Sequence, residues 1–317
     1  MNPVRQISDA EVASVMTTSD FVDSCDQAFR LYGLGEMKNP VREETVLREG
    51  ELDLFRLVLP GEWIGKFRGQ KVIEERSDVL TGRLGDRTAV IELVDLQSGL
   101  QAVVDAEFIT NMRTGAAGAL GAKYLAQTPV ECVAILGTGR IAQALARCVD
   151  VVLAPTVMKV TSRTQEKREA FVADIGGEIS CELMMTDNVE ACIDGADAIF
   201  TSVPTPNPIL TQIPYCAHVS VMGGDGRTTQ LAPELLKDRP VVPDHHRQVL
   251  KSGEFVALNN ANQEPKWIKN HRNEVLTVAD AVLGHMENLR GKGAIVYFSG
   301  MAIQDVHAAA VAWGKLS

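Results

Sequence analysis

The chain has 317 residues, a length that favours two domains over one. Hydrophobic residues make up 45% and the formal net charge is −10. That balance excludes a disordered chain and argues against nucleic acid or an anionic membrane as partner, since both need a basic face. In chain order, Ser8 with Glu11 forms a capping-box pattern, so a short helix is expected. A second helix starts near Thr18 or Ser19, carries Phe21, Val22, Cys25, Ala28, Phe29 and Tyr32 at helical spacing, and stops at Gly33 and Gly35. From Leu52 to Val104 the pattern changes to strands and hairpins, with apolar runs at Ile64 to Phe67 and Ala89 to Val94 and a turn at Gln97-Ser98-Gly99. After Asp105 comes a helix rich in small residues, from Gly115 to Ala122, able to approach a neighbour closely. Strand-like runs then alternate with helical stretches (Val157 to Val160, Ala198 to Val203, Val219 to Met222), and the chain closes with a strand, a turn and a helix.

No apolar run reaches the length of a membrane span, and the N-terminus carries Asp9 and Glu11 where a secretory signal would be apolar. Six cysteines and six histidines show no CxxC and no metal-ligand spacing beyond the adjacent His245 and His246. A cytoplasmic protein with reduced thiols and no metal is expected.

The most informative stretch is Val133-Ala134-Ile135-Leu136 followed by Gly137-Thr138-Gly139-Arg140-Ile141-Ala142 and a helix. A buried strand, a GxGxxA loop and a helix make a phosphate-binding turn. The first glycine makes the turn, the second admits the pyrophosphate, and the alanine permits helix–strand packing, while the helix N-terminus offers free N–H groups. With the βα alternation that follows, the fold class is α/β. It comprises a Rossmann-type doubly wound domain at 113–295 and an α+β substrate-binding and dimerisation domain built from 1–112 with 296–317. The end of the next strand reads Ser162-Arg163-Thr164, with no acid before Glu166. An acid there binds the ribose 2′-hydroxyl of NAD, whereas an arginine suits a 2′-phosphate. NADP(H) is therefore expected in preference, with NAD(H) as the second choice.

Together these blocks resemble the family of ornithine cyclodeaminase, mu-crystallin and the archaeal-type alanine dehydrogenases. The marks are Asn39-Pro40-Val41-Arg42, Gly65-Lys66, Asp95 to Gly99, Ile109 to Ala117, the glycine loop, Val221 to Asp225, and Gly300-Met301-Ala302 with Asp305. The resemblance implies that Arg42, Lys66 and Arg113 hold a substrate carboxylate. The chemistry fits, because a guanidinium clamps a carboxylate in two places and an ammonium adds a point charge. Lys71 lies close enough in sequence to compete with Lys66 for its role. Asp225 matches an aspartate that exchanges a proton with the amine or with an attacking water, and Lys66 polarises the imine. The resemblance also sets Thr114, Val203, Met222, Gly223 and Ser299 against the cofactor, beside the loop residues Gly137, Thr138, Gly139, Arg140 and Ile141. The chain departs from the family pattern at Gln230, where a glutamate is usual, and at Phe298, where a polar residue is usual.

The expected activity is an oxidoreductase acting on the C–N bond of a small amino acid or imine, with keto acid as the deaminated partner. Two alternatives stand beside it. One is a redox-neutral cyclodeaminase, in which Glu43, Glu44 or Asp53 would hold a distal amine. The other is a mu-crystallin-like NADPH-binding protein with little turnover. A homodimer is implied by the same resemblance.

Overall fold

The computed structural model describes residues 4–50, 52–78, 84–224 and 226–317. The chain divides into two compact units, Met1–Arg113 with Met301–Ser317, and Thr114–Gly300. In the first unit, β1 (Arg5–Ile7) leads into α1 (Asp9–Val15) and α2 (Thr18–Gly33). Both helices open with a full capping box, Ser8 with Glu11 and Thr17 with Asp20, which satisfies N–H groups that the first turn leaves unpaired. Strands β2 (Met37–Lys38), β3 (Glu43–Glu49), β4 (Leu52–Trp63), β5 (Phe67–Asp78), β6 (Leu84–Asp95) and β7 (Gln101–Asp105) follow. They form one sheet in the order β1-β7-β6-β5-β4-β2, with β3 also paired to β4. The apolar run Ile64 to Phe67 is the turn between β4 and β5, closed by Lys66 N–H donating to the Trp63 carbonyl at 2.9 Å. Ile64 is apolar, but the backbone is folded back there, so it stays 43% exposed.

Helix α3 (Glu107–Leu125) carries the chain into the second unit, whose parallel sheet begins at β8 (Cys132–Leu136). Then come α4 (Arg140–Leu153), β9 (Val157–Thr161), α5 (Gln165–Ile175), β10 (Glu182–Thr186), α6 (Val189–Ile193), β11 (Ala198–Thr201) and β12 (His218–Met222). The short α7 (Leu235–Asp238), β13 (Val241–Pro243), α8 (His246–Val249), α9 (Gly253–Asn260), α10 (Val278–Val282) and β14 (Ile295–Phe298) complete it. The strand order is β10-β9-β8-β11-β12-β14-β13, every pair parallel. This is a doubly wound sheet whose order reverses between β8 and β11, the place where such sheets bind ligands. Strand β14, expected from sequence with the first domain, instead pairs with β12 and β13. Its four residues are all buried, as a central parallel strand requires. The small residues of α3 have a direct use: a Cβ on Gly115 would lie 2.5 Å from the backbone carbon of Ala144 on α4. Only a glycine lets the two helix backbones approach that closely.

The closing helix α11 (Ala302–Leu316) belongs to the first unit and packs on β4, β5 and β6. Two buried histidines set an acid limit on this fold. His218 on β12 is fully buried with Nε2 2.9 Å from Ser220 Oγ, and burial pushes its pKa down to about 3. His307 on α11 places Nδ1 2.8 Å from Ser24 Oγ and its ring 4.8 Å from that of Trp63. Burial, helped by the nearby Lys66 charge, pushes it down to about 4. Below pH 6.5 the unfolded chain binds protons that these two folded residues refuse, so stability falls as pH drops toward their folded values. Each contributes a slope of about 1.4 kcal/mol per pH unit in that window. The urea midpoint is therefore expected to be lower at pH 5 than at pH 7, with a smaller difference in His218→Asn. Equal midpoints in the unaltered protein would rule this out.

Candidate functional site

Along one edge of the parallel sheet lie the carboxyl ends of five adjacent strands. Gly137 to Ile141 follow β8, Ser162 to Thr164 follow β9, Val203 follows β11, Met222 ends β12 with Gly223 beyond it, and Ser299 follows β14. The structure thus gathers these sequence-expected residues on one edge. Gly137 has φ +116°, and a Cβ there would press on Val203 Cγ1 at 3.1 Å. Gly139 is the N-cap of α4, where a Cβ would meet nothing within 4 Å, and no side chain caps the helix. The Ser202 hydroxyl is buried without a hydrogen-bond partner among the described residues, 3.6 Å from where the Gly137 Cβ would stand. An open glycine turn, an uncapped 14-residue helix and an orphaned hydroxyl fit a dinucleotide pyrophosphate.

The flanking groups are held from behind by a buried polar network. Gln230 accepts hydrogen bonds from Thr201 Oγ1 and the Val203 N–H, both at 2.9 Å, and donates to the Met222 carbonyl at 2.6 Å. Its own N–H donates to Glu254 Oε1 at 2.6 Å, and the Tyr297 hydroxyl donates to Glu254 Oε2 at 2.6 Å. The residue that departs from the family pattern is thus the tie between the ends of β11 and β12. Ser299 donates through N–H and Oγ to the fully buried Asp244, at 2.9 and 2.8 Å. Desolvation raises the Asp244 pKa against these hydrogen bonds. Neither Glu254 nor Asp244 was marked by the sequence, because an acid that only receives backbone and hydroxyl protons has no motif.

At the end of β9, Thr164 Oγ1 caps α5 by accepting the Lys167 N–H. Arg168 donates to the Ser162 carbonyl at 2.7 Å and pairs with Asp187 at 2.8 Å. Arg163 is exposed. Thr114 and Arg113, one residue apart on α3, are both largely buried.

In the other unit, Lys71 on β5, Arg113 on α3 and Asp305 on α11 meet in the interior, at 2%, 8% and 0% exposure. Lys71 Nζ donates to Asp305 Oδ1 at 2.9 Å and Arg113 Nε donates to the same oxygen at 3.1 Å. Arg113 NH1 also donates to Gln304 Oε1 at 3.2 Å. Two buried cations thus share one carboxylate, leaving an uncompensated positive charge. Burial, outweighing the attraction of Asp305 and helped by Arg113, pushes the Lys71 pKa down to about 8. The ammonium therefore remains mostly protonated at neutral pH.

Arg42 pairs through Nε with Glu44 at 3.0 Å. Its segment is fixed to the first turn of α11, since Asn39 Oδ1 accepts the Ile303 N–H at 3.4 Å. Lys66 is exposed in the β4–β5 turn, with its ammonium 4.2 Å from the Trp63 ring centre. The turn points it outward, whereas Lys71, five residues on, sits on the sheet face that α11 covers. Asp225 lies outside the described residues. Among the described residues no group of His, Cys, Asp or Glu is arranged to hold a metal ion, and no helix is long and apolar enough to cross a membrane.

Known proteins with the same architecture were found by sequence and by structure. The sequence profile of the ornithine cyclodeaminase/mu-crystallin family matches residues 2–317. An alanine dehydrogenase of Archaeoglobus fulgidus is 26% identical, covering 97% of this chain and 93% of that protein. The Δ1-pyrroline-2-carboxylate reductase of Thermococcus litoralis, solved with NADH and L-proline, superposes with a TM-score of 0.84 at 21% identity, over 98% of this chain and 97% of the other. An archaeal alanine dehydrogenase dimer with bound NAD gives 0.82 at 22% identity, over 98% and 95%.

The shared carboxylate yields a test. Replacing a buried ion by an apolar side chain removes its desolvation cost, and Asp305 keeps Arg113 as partner. Lys71→Met is therefore expected to hold or raise the Tm, and a clear fall in Tm on thermal unfolding would refute this.

Proposed function

This chain belongs to the ornithine cyclodeaminase/mu-crystallin family, and from that premise we propose that it is a nicotinamide-dependent oxidoreductase acting on the C–N bond of a small α-amino acid or the corresponding imine. The observation that carries this reading is the buried pair of cations on one carboxylate. Such a site has an unmet charge that an α-carboxylate would neutralise, with Arg113 supplying the planar fork and Lys71 the point charge. Lys71 takes the part that the resemblance assigns to Lys66. Arg42, three residues after the Asn39 that accepts the Ile303 N–H, adds a second guanidinium. Asp225, set between two glycines, exchanges a proton with the amine or with the water that attacks the imine. When bound, the dinucleotide supplies the hydride chemistry. The residues named here bind and orient the carbon that gives or takes the hydride.

Gly137, Thr138, Gly139, Arg140 and Ile141 would hold the pyrophosphate, and Thr114, Val203, Met222, Gly223 and Ser299 the nicotinamide half. A preference for NADP(H) rests on Ser162, Arg163 and Thr164. No carboxylate lies between Thr161 and Gln165, and the nearby Asp187 is already paired with Arg168. The related structures solved with a cofactor carry NADH or NAD, so the preference is a property proposed for this chain. The redox-neutral cyclodeaminase alternative needs an acid for a distal amine. Of its three candidates, Glu44 is paired with Arg42 and Asp53 with Arg48 at 2.9 Å.

An assay of Δ1-pyrroline-2-carboxylate, pyruvate with ammonia, L-alanine, L-proline and L-ornithine against NADPH, NADP+, NADH and NAD+ tests the reading. Cofactor oxidation or reduction matched to substrate is expected, with KM for NADPH below that for NADH. In Arg163→Ala the KM for NADPH should rise roughly 10-fold, the loss of one charged hydrogen bond, with little change for NADH. Ammonia released from ornithine with no net change in cofactor would replace this reading by cyclodeamination. Binding of NADPH without turnover of any substrate would favour the mu-crystallin-like role.

We further propose a homodimer formed through the first unit. Leu47 on β3 and Leu52 on β4 share one face of the sheet and are exposed at 52% and 39%, apolar surface that a second copy would cover. Light scattering should report twice the chain mass, and a monomer at micromolar concentration would refute it.

A further inference from the structure

Resting on the reading of the Lys71–Arg113 cluster as a carboxylate site, we propose that Gln304 is a substrate-binding residue whose side-chain amide donates a hydrogen bond to the bound carboxylate. Gln304 lies in the first turn of α11, next to Asp305, and is 1% exposed. Its Oε1 accepts from Arg113 NH1 at 3.2 Å. That bond fixes which way the amide points, because a guanidinium has only donors, and turning the amide over would set N–H against N–H. Nε2 is therefore the end left over, and it is buried without a hydrogen-bond partner among the described residues. An unpaired buried N–H costs about 1–3 kcal/mol, a penalty a fold keeps where a ligand will relieve it.

Three neighbours give that donor an anion as its natural partner. Arg113 and Lys71 stand on the same carboxylate and leave a positive charge unmatched. Gln304 also lies in the first turn of α11, whose N-cap residue Met301 offers no side-chain oxygen, so the positive end of the helix is close by even though Asn39 takes the Ile303 N–H. An acceptor-only group such as a carboxylate satisfies all of these at once. A cationic or neutral apolar ligand would leave the amide orphaned.

The test uses the full chain with saturating NADP+, which cannot reduce the imine, titrated calorimetrically with Δ1-pyrroline-2-carboxylate. Gln304→Met removes the donor at similar volume and is expected to weaken binding roughly 10- to 100-fold. Gln304→Glu keeps the oxygen that receives Arg113 but replaces the donor by a second carboxylate oxygen, and should weaken binding at least as much. In both variants NADPH affinity and Tm should stay close to those of the unaltered protein, a separation that a merely structural role would not produce. In turnover the loss should appear in KM more than in kcat. If Arg113→Met loses binding while both Gln304 variants bind like the unaltered protein, the amide makes no ligand contact and the proposal fails alone. If the unaltered protein itself binds no carboxylate, the reading of the cluster fails and the proposal with it. Should Gln304→Met not fold, Gln304→Glu decides by the same comparison.

Discussion

Asp305 is buried completely, and an isolated carboxylate in that position would be prohibitively costly. It is paired with Lys71 from the sheet and Arg113 from α3, so one side chain on the last helix joins three elements of the first unit. Each cation in turn tolerates burial only because Asp305 is there. The arrangement over-supplies positive charge, and that surplus is what the site has to offer a ligand. Stability and function pull in opposite directions at this point: an apolar core would hold α11 to the sheet as well, but would bind no anion.

The second unit rests on a different constraint, the approach of backbones. α3 can lie against α4 because Gly115 has no side chain at the crossing. The helix that packs this way carries Arg113 immediately before Thr114, so the residue types required for close packing also set the position of a buried cation. Behind the strand ends, Gln230 and Glu254 use every hydrogen-bonding atom they present, which fixes the loops of β11 and β12 without a metal or a disulfide. A glutamate at position 230 would need a proton to donate to the Met222 carbonyl, whereas the glutamine does so at any pH.

Much of the fold is legible in the sequence because its signals are local. The capping box at Ser8, the buried run Val133 to Leu136 and the glycines that follow it each depend on neighbours within a few residues. So does the lack of an acid at the end of β9. The apolar run at Ile64 was harder, since composition cannot distinguish a strand from the turn that ends it. Strand β14 was harder still, because four apolar residues carry no mark of the sheet they will join.

Sequence alone therefore determined the α/β class, the phosphate-binding turn and Arg113, which stands out as a charge in a small, apolar helix. Tertiary structure decided which lysine joins it. Lys66 and Lys71 are equivalent as letters, and only the hairpin geometry sends one to the surface and the other under α11. The partner that makes the choice meaningful, Asp305, lies 234 residues from Lys71 along the chain. Periodicity and turn chemistry act over a few residues, whereas charge pairing in a dry interior acts over a few ångströms. Only the folded chain brings the two scales together.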